Sequence, residues 1–293
     1  MRLYQKKLIA YARHLDGIHH LGWVSPTDMI GIDFQQQLHL WTLDRDPTTA
    51  PPVNRSLGFR ATCLHANPLV YIIGGKEDFT DEPTVKAYKK TGEESVHYTP
   101  PAIPLSLIAE DQNAIIGCIN GSLIHYNIPA CTPLSIFRET MQRAYHAIAT
   151  DHTQIAAGGD RFLHLFDNRN MTAHTALKPN GQVSGIHLNQ NFLTIGAGET
   201  IFRYDIRNLA HCLEDYTMPG PITAFYCSSS HIAAGGREWV AAIDTKMTET
   251  VFSRITSPKK CLLWGLVDTT IFYSENQQLH SVPIAANPKS TKD

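Results

Sequence analysis

Large apolar residues recur along this 293-residue chain at a fixed interval. Trp23, Leu64, Ile108, Ile148, Ile186, Phe225 and Trp264 form one series; Trp41, Tyr88, Tyr126, Phe166, Tyr204, Ile243 and Val282 form a second. The gap within successive pairs is 18, 24, 18, 18, 18, 18 and 18 residues, and the steps along the second series are 47, 38, 40, 38, 39 and 39. A unit of about 40 residues cannot bury a core alone, so such units must stack on one another.

Residues 144–170, AYHAIATDHTQIAAGGDRFLHLFDNRN, show what one unit contains. Ala144–Ala149 reads as a strand, TDHT as a turn and Gln154–Ala157 as a second strand. Gly158-Gly159-Asp160 reads as a tight turn, Arg161–Asp167 as a third strand and Met171–Leu177 as a fourth. Short β-rich runs with turn signals this close together imply antiparallel all-β structure. Seven units of this kind predict a single seven-bladed β-propeller of four-stranded antiparallel blades over residues 1–286. The blades are expected at 17–55, 56–99, 100–139, 140–178, 179–217, 218–256 and 257–286.

The last unit is short of a strand. After Ile284 only AANPKSTKD remains, and 287–293 reads as a flexible tail. The first 14 residues have no blade of their own, yet Tyr4–Ala12 carries a strand-like run. Residues 1–16 are therefore expected to supply the closing strand of the last blade and to remove the open sheet edge.

LFDNRN (165–170) and RYDIRN (203–208) resemble the end of a WD repeat, and IAAGGD (155–160) and IAAGGR (232–237) resemble the apolar-Gly-Gly turn before it. The chain thus resembles a divergent member of the WD-repeat β-propeller family over nearly its whole length. The residue after the anchor is Asp at Asp167, Asp205 and Asp244 but Thr42, Lys89, Asn127 and Pro283 elsewhere, and the Gly-His pair that opens family repeats is missing. The hydrogen-bond network that ties family blades together should then be incomplete, leaving more to apolar packing.

Composition narrows function. A net charge of −2 argues against a direct nucleic-acid binder or a polybasic membrane protein. No apolar stretch approaches the roughly 18 residues of a membrane span. No secretory leader is expected, so the glycosylation triplets at Asn54 and Asn170 read as chance matches. Cys63, Cys118, Cys131, Cys212, Cys227 and Cys261 form no C-x-x-C pair and read as reduced, mostly buried thiols, which places the chain in the cytoplasm or nucleus. No cofactor and no small-molecule substrate are expected.

His20, His65, His146 and His187 fall on expected innermost strands. A channel metal would need convergent carboxylates, and Glu110 is the main one there, so the histidines read as polar lining and no metal is expected. Ser228-Ser229-Ser230 with His231 reads as a turn rather than a triad. Gly158-Gly159 and Gly235-Gly236 precede no helix and read as hairpin turns rather than phosphate loops.

Two features mark the expected partner face, where the turn before each first strand meets the turn between second and third strands. Arg60, Arg143, Lys259, Lys260, Arg161 and Arg237 form a basic cluster there, suited to an acidic or phosphorylated peptide. Asp160, Glu199 and Glu238 lie near enough to balance it. Phe162 and Trp239 open third strands beside it, and Trp239 reads either as an interface anchor or as packing between blades. The second feature is the broken interval. The second unit is six residues longer than the rest, within Lys76–Pro83, and the added loop carries Glu77, Asp78, Asp81 and Glu82 around Phe79. It reads either as a partner contact or as a tolerated insertion. The segment 44–55, with three prolines, reads as a stiff connector on the opposite face.

The resemblance implies a non-catalytic scaffold or adaptor for other proteins or peptides within a complex. A ubiquitin or phosphopeptide receptor using the basic face is the alternative. A bacterial effector that mimics a host adaptor fits equally. A propeller hydrolase with a channel metal is the rival from another class, and fold alone does not decide between them.

Overall fold

The structure is a computed structural model that describes residues 7–10, 18–23, 28–42, 55–67, 70–89, 93–110, 112–151, 153–228, 231–244, 253–256, 261–267, 270–275 and 278–284. Every regular element among them is a strand. β1 (Lys7–Ala10) precedes the repeats. The first repeat holds β2 (Ile18–Trp23), β3 (Asp28–Asp33), β4 (Gln37–Thr42) and β5 (Arg55–Ser56). The second holds β6 (Phe59–Ala66), β7 (Val70–Glu77), β8 (Pro83–Lys89) and β9 (Glu94–Tyr98). The third holds β10 (Pro104–Glu110), β11 (Asn113–Cys118), β12 (Ser122–Asn127) and β13 (Thr132–Arg138). The fourth holds β14 (Ala147–Thr150), β15 (Gln154–Gly159), β16 (Phe162–Asp167) and β17 (Thr172–Leu177). The fifth holds β18 (Val183–Leu188), β19 (Phe192–Ala197), β20 (Thr200–Asp205) and β21 (Asn208–Thr217). The sixth holds β22 (Ala224–Cys227), β23 (His231–Gly235), β24 (Trp239–Asp244) and β25 (Ser253–Thr256). The last holds β26 (Cys261–Val267), β27 (Thr270–Glu275) and β28 (Gln278–Pro283).

These strands form seven four-stranded sheets, each antiparallel and in chain order from first to fourth strand. In the sheet of β26, β27 and β28 the fourth place is taken by β1, which pairs with β28 through Lys7 opposite Ser281 and Leu8 opposite His280. First strands touch in succession, β2 to β6, β10, β14, β18, β22 and β26, and β26 also touches β2. The architecture is a β-propeller of four-stranded antiparallel blades. Every residue of the first apolar series lies on a first strand, and every residue of the second on a third strand.

The interval has a packing cause. The second strands read YIIGG, AIIGC and IAAGG, near-continuous apolar runs, because both faces of a blade are covered. Among the described residues six apolar cores lie between consecutive blades. Ile72 and Val85 of one blade, for instance, share a core with Ile116, Ile124 and Tyr126 of the next.

The paired glycines differ from the sequence expectation. Gly158 and Gly159 are the last residues of β15, and the turn is Asp160-Arg161, with Arg161 in the left-handed region at φ 59°. A side chain has no room at either glycine. A Cβ on Gly158 would meet Val183 of the following blade at 3.0 Å, and one on Gly159 would lie 2.0 Å from the Ala144 carbonyl oxygen. The same holds at Gly74, Gly196 and Gly235, where Pro104, Phe225 and Leu263 of the next blade press against the backbone. The glycines set how closely adjacent blades approach.

Other expectations need smaller corrections. The boundary drawn between 55 and 56 divides β5. Arg60 lies inside β6, opposite Lys76, rather than in the turn before it. Cys63 and Cys118 are buried, with burial pushing each thiol up to about 12, but Cys131 and Cys212 are exposed. Residues 44–54, Lys259, Lys260 and 287–293 lie outside the described residues.

Asp167 and Asp205 do not bridge blades. Each carboxylate accepts a backbone N–H two residues on, from Arg169 at 2.8 Å and from Arg207 at 2.9 Å, and so shapes the turn into the fourth strand. The ties between blades come from elsewhere. The Thr62 hydroxyl donates to the Pro104 carbonyl, the Ser106 hydroxyl donates to that of Tyr145 at 2.9 Å, and the Gln36 side-chain oxygen accepts the Ala61 N–H at 2.7 Å.

Candidate functional site

Strand direction places the candidate site. Antiparallel neighbours reverse at each turn, so the lead-in to a first strand and the turn between second and third strands share one end of the blade. In the second blade this end is marked by Arg60 opposite Lys76 and Lys76 opposite Pro83. The long loop between β7 and β8 therefore projects from this face.

The loop is folded back on itself. The Glu77 N–H donates to the Glu82 carbonyl at 2.9 Å and the Asp81 N–H to that of Glu77 at 3.2 Å, with Asp81 left-handed at φ 57°. Lys76 pairs with Asp81, and Lys86 with Glu77 at 3.2 Å. The Lys76 ammonium is the chief reason the Asp81 carboxyl sits below the ordinary carboxylate range, and Arg60 adds to it. Asp78, Thr80 and Glu82 are exposed, and Phe79 is 101% exposed. A cavity of about 270 Å³ beside the loop is lined by Glu77, Phe79, Glu82 and His97. The arrangement holds a bare phenyl ring on a cross-braced acidic tip.

The expected basic cluster is divided. Arg143 is pinned: its guanidinium stacks 4.1 Å from the Phe162 ring centroid and donates to Glu139 at 3.1 Å. Arg60 faces the acidic loop. Arg161 and Arg237 are exposed at the tips of their turns. Trp239 is 5% exposed and packs with Ile201, Met218, Ile222 and Phe225 between two blades, and Phe162 is buried likewise.

Three further apolar side chains on this face escaped the sequence reading. Phe34, in the turn between β3 and β4, is 71% exposed. Ile119, in the turn between β11 and β12, is 49% exposed, and Met141, just before β14, is 72% exposed. The available signal was an apolar residue at a turn position, which the search for strand periodicity passes over.

A central cavity of about 620 Å³ is lined by His20, Thr62, Ser106 and Ser184 of first strands and by His146, which lies just before β14 rather than on it. Burial holds the His187 imidazole below its ordinary pKa, and His65 down to about 4 despite its contact with the Ala109 backbone. Glu110 faces a separate cavity and accepts a hydrogen bond from Thr150 at 3.3 Å. Among the described residues no group of His, Cys, Asp or Glu is placed to hold a metal ion. No described helix is long and apolar enough to cross a membrane.

No family model matches this chain, and no curated protein sequence does. Among solved structures it is similar to the crystal structure of a computationally designed protein, Ika8, with a TM-score of 0.73 and 14% identity over 92% of this chain and 83% of that one. At that identity the likeness shows the fold alone. Matching chains number 1503, so the architecture is common and selects no activity by itself.

Proposed function

We propose that the protein is a non-catalytic interaction scaffold that receives a partner protein on the face carrying the 76–83 loop. The observation that carries this is the Phe79 side chain, wholly exposed on a braced loop beside Asp78 and Glu82. Water exacts a free-energy cost for an exposed aromatic ring, and a preformed loop loses little entropy when a partner covers it. Polar groups around the ring keep the free protein soluble. The free cysteines of the described residues support a reducing compartment, cytoplasmic or nuclear.

The same reading takes the chain as a divergent WD-type propeller of seven blades, shut by its N-terminal strand. The register of Lys7 and Leu8 with β28 and the contact of β26 with β2 support it. Deleting residues 1–14 should then expose the β28 edge and cause unfolding or aggregation, read by light scattering during heating.

The binding role is tested by affinity capture with mass spectrometry. Phe79→Ala combined with Asp78→Ala should strip the captured protein while leaving the melting curve in place. Undiminished capture by the double variant would sink the reading.

A further inference from the structure

We propose that the junction of the third and fourth blades holds a subsite for a carboxylate side chain of a docked protein segment, with that segment's apolar neighbours resting on Ile119 and Met141. The proposal rests on the reading that this face receives a protein, and names the chemistry of one contact. Its frame is a cavity of about 340 Å³ lined by Asn120, Ser122, Arg138, Glu139, Thr140 and Gln142. That is roughly ten times the volume a water occupies in the liquid, enough for a side chain.

The cavity has an unmatched donor and an unmatched charge. Ser122 is 1% exposed and its buried hydroxyl has no hydrogen-bond partner. Leaving such a group unmatched is costly, and native proteins rarely do so without a use for it. Arg138 stands directly across the strand ladder from Ser122, is exposed, and forms no ion pair with the described residues. Glu139 is the lone carboxylate in the lining, and it is spent. Its Oε2 accepts the Arg143 N–H at 3.0 Å and its Oε1 accepts the Arg143 guanidinium at 3.1 Å. What remains in the lining is the Arg138 guanidinium and the Ser122 hydroxyl, on residues paired across the ladder. A carboxylate accepts from both and carries the matching single charge. A phosphoryl group carries nearly twice that charge and is commonly met by several arginines, and here Arg143 is already engaged.

The walls are fixed before anything binds. The Glu139 N–H donates to the Gly121 carbonyl at 2.9 Å and the Gln142 N–H to that of Glu139 at 3.1 Å. Gly121, at φ +76°, lies so close to Gln142 that a Cβ would meet its main chain at 3.0 Å. Ile119 and Met141, each next in sequence to a wall residue, are 49% and 72% exposed.

The test is an amide-shift NMR titration of the full chain with the tripeptide N-acetyl-Leu-Glu-Leu-amide, its Leu-Gln-Leu counterpart, and inorganic phosphate. The Glu peptide should saturate shifts at residues 120–122 and 138–142, with the Gln peptide at least about tenfold weaker. Arg138→Gln should abolish the response. Ser122→Ala should weaken it about three- to tenfold without lowering the melting temperature, because the variant also deletes an unmatched buried group. No saturable shift below about 10 mM, or equal binding of the Gln peptide, overturns the subsite. Tighter binding of phosphate overturns the carboxylate assignment. Protein capture through Phe79 with a silent cavity defeats the subsite alone; a responsive cavity on a chain that captures no protein defeats the scaffold reading alone.

Discussion

The glycine ends of the second strands and the turns that follow them are close in sequence and obey different rules. At Gly158 and Gly159 the neighbouring blade and the main chain leading into the first strand leave no space for a methyl group. At Asp78, Phe79 and Thr80 nothing crowds the side chains, and the backbone is held by its own hydrogen bonds. The first region fixes the spacing of the blades, and at Gly158 and Gly159 it tolerates one residue type. The second is free to carry chemistry because the first does not depend on it. A rigid scaffold with variable turns is how one architecture serves many partners.

The sharpest way to break that comparison is a single methyl group in each setting. Gly159→Ala places a Cβ against a backbone oxygen that cannot step aside, and should cost about 3 kcal/mol or more, with a loss of cooperative unfolding in denaturant. Gly58→Ala is the matched control. Gly58 also holds a special conformation, φ +70°, but a Cβ there would have nothing within 4 Å. It should cost only the backbone term, about 1–2 kcal/mol. Equal losses at the two sites would show that conformation, not blade contact, explains the paired glycines.

A smaller effect separates the buried first strands from the face by pH. The folded pKa of His65 lies near 4 against an ordinary 6.5, because burial disfavours the charged ring. Above pH 6.5 neither folded nor unfolded chain binds this proton, and stability is undiminished. As pH falls from 6.5 toward 4 the unfolded chain takes a proton that the folded chain refuses, so stability drops. A shift of that size makes the loss about 2 kcal/mol between pH 7 and pH 4.5. Urea midpoints at pH 7 and pH 4.5 should differ by that much more in the native chain than in His65→Gln. His187 shifts in the same direction and stays in both, so the comparison isolates one ring.

The two regions were also unequally legible. Trp23, Leu64 and their successors lie on first strands, and Tyr88, Phe166 and theirs on third strands, because positions that pack between blades recur once per repeat, as Leu64, Tyr88, Phe166 and Phe225 do. Position in the repeat says where a residue falls, and for Phe79 that was enough to place it on the correct turn. It does not say what the neighbours are. Gly158 read as a turn because its constraint comes from Val183, on the next blade. Trp239 left two readings open, and only its packing against Ile201 and Phe225 shows that it is covered. Ser122 opens β12 straight after a short polar turn like many others. Its unmatched hydroxyl is created by the return of 139–142 across the turn, a contact with no local signature.

The smallest expected effect on stability is at the loop tip, and its smallness is the point. Phe79 is fully exposed and Asp78 makes no ion pair with the described residues, so replacing both by alanine removes no packing and no paired charge. The braces are elsewhere, in Lys76 with Asp81 and in the backbone bonds between Glu77 and Glu82. The double variant should therefore unfold within about 0.5 kcal/mol of the native chain. Asp81→Ala should behave differently. It removes the Lys76 pair and puts alanine at a left-handed φ of 57°, which aspartate tolerates better. Hydrogen exchange at the amides of 77–82 should then rise in Asp81→Ala and stay unchanged in the tip variant. If the tip variant exchanged as fast as Asp81→Ala, Phe79 would be holding the loop together rather than being displayed by it, and the division between a fixed core and a free face would fail at the residue that best represents it.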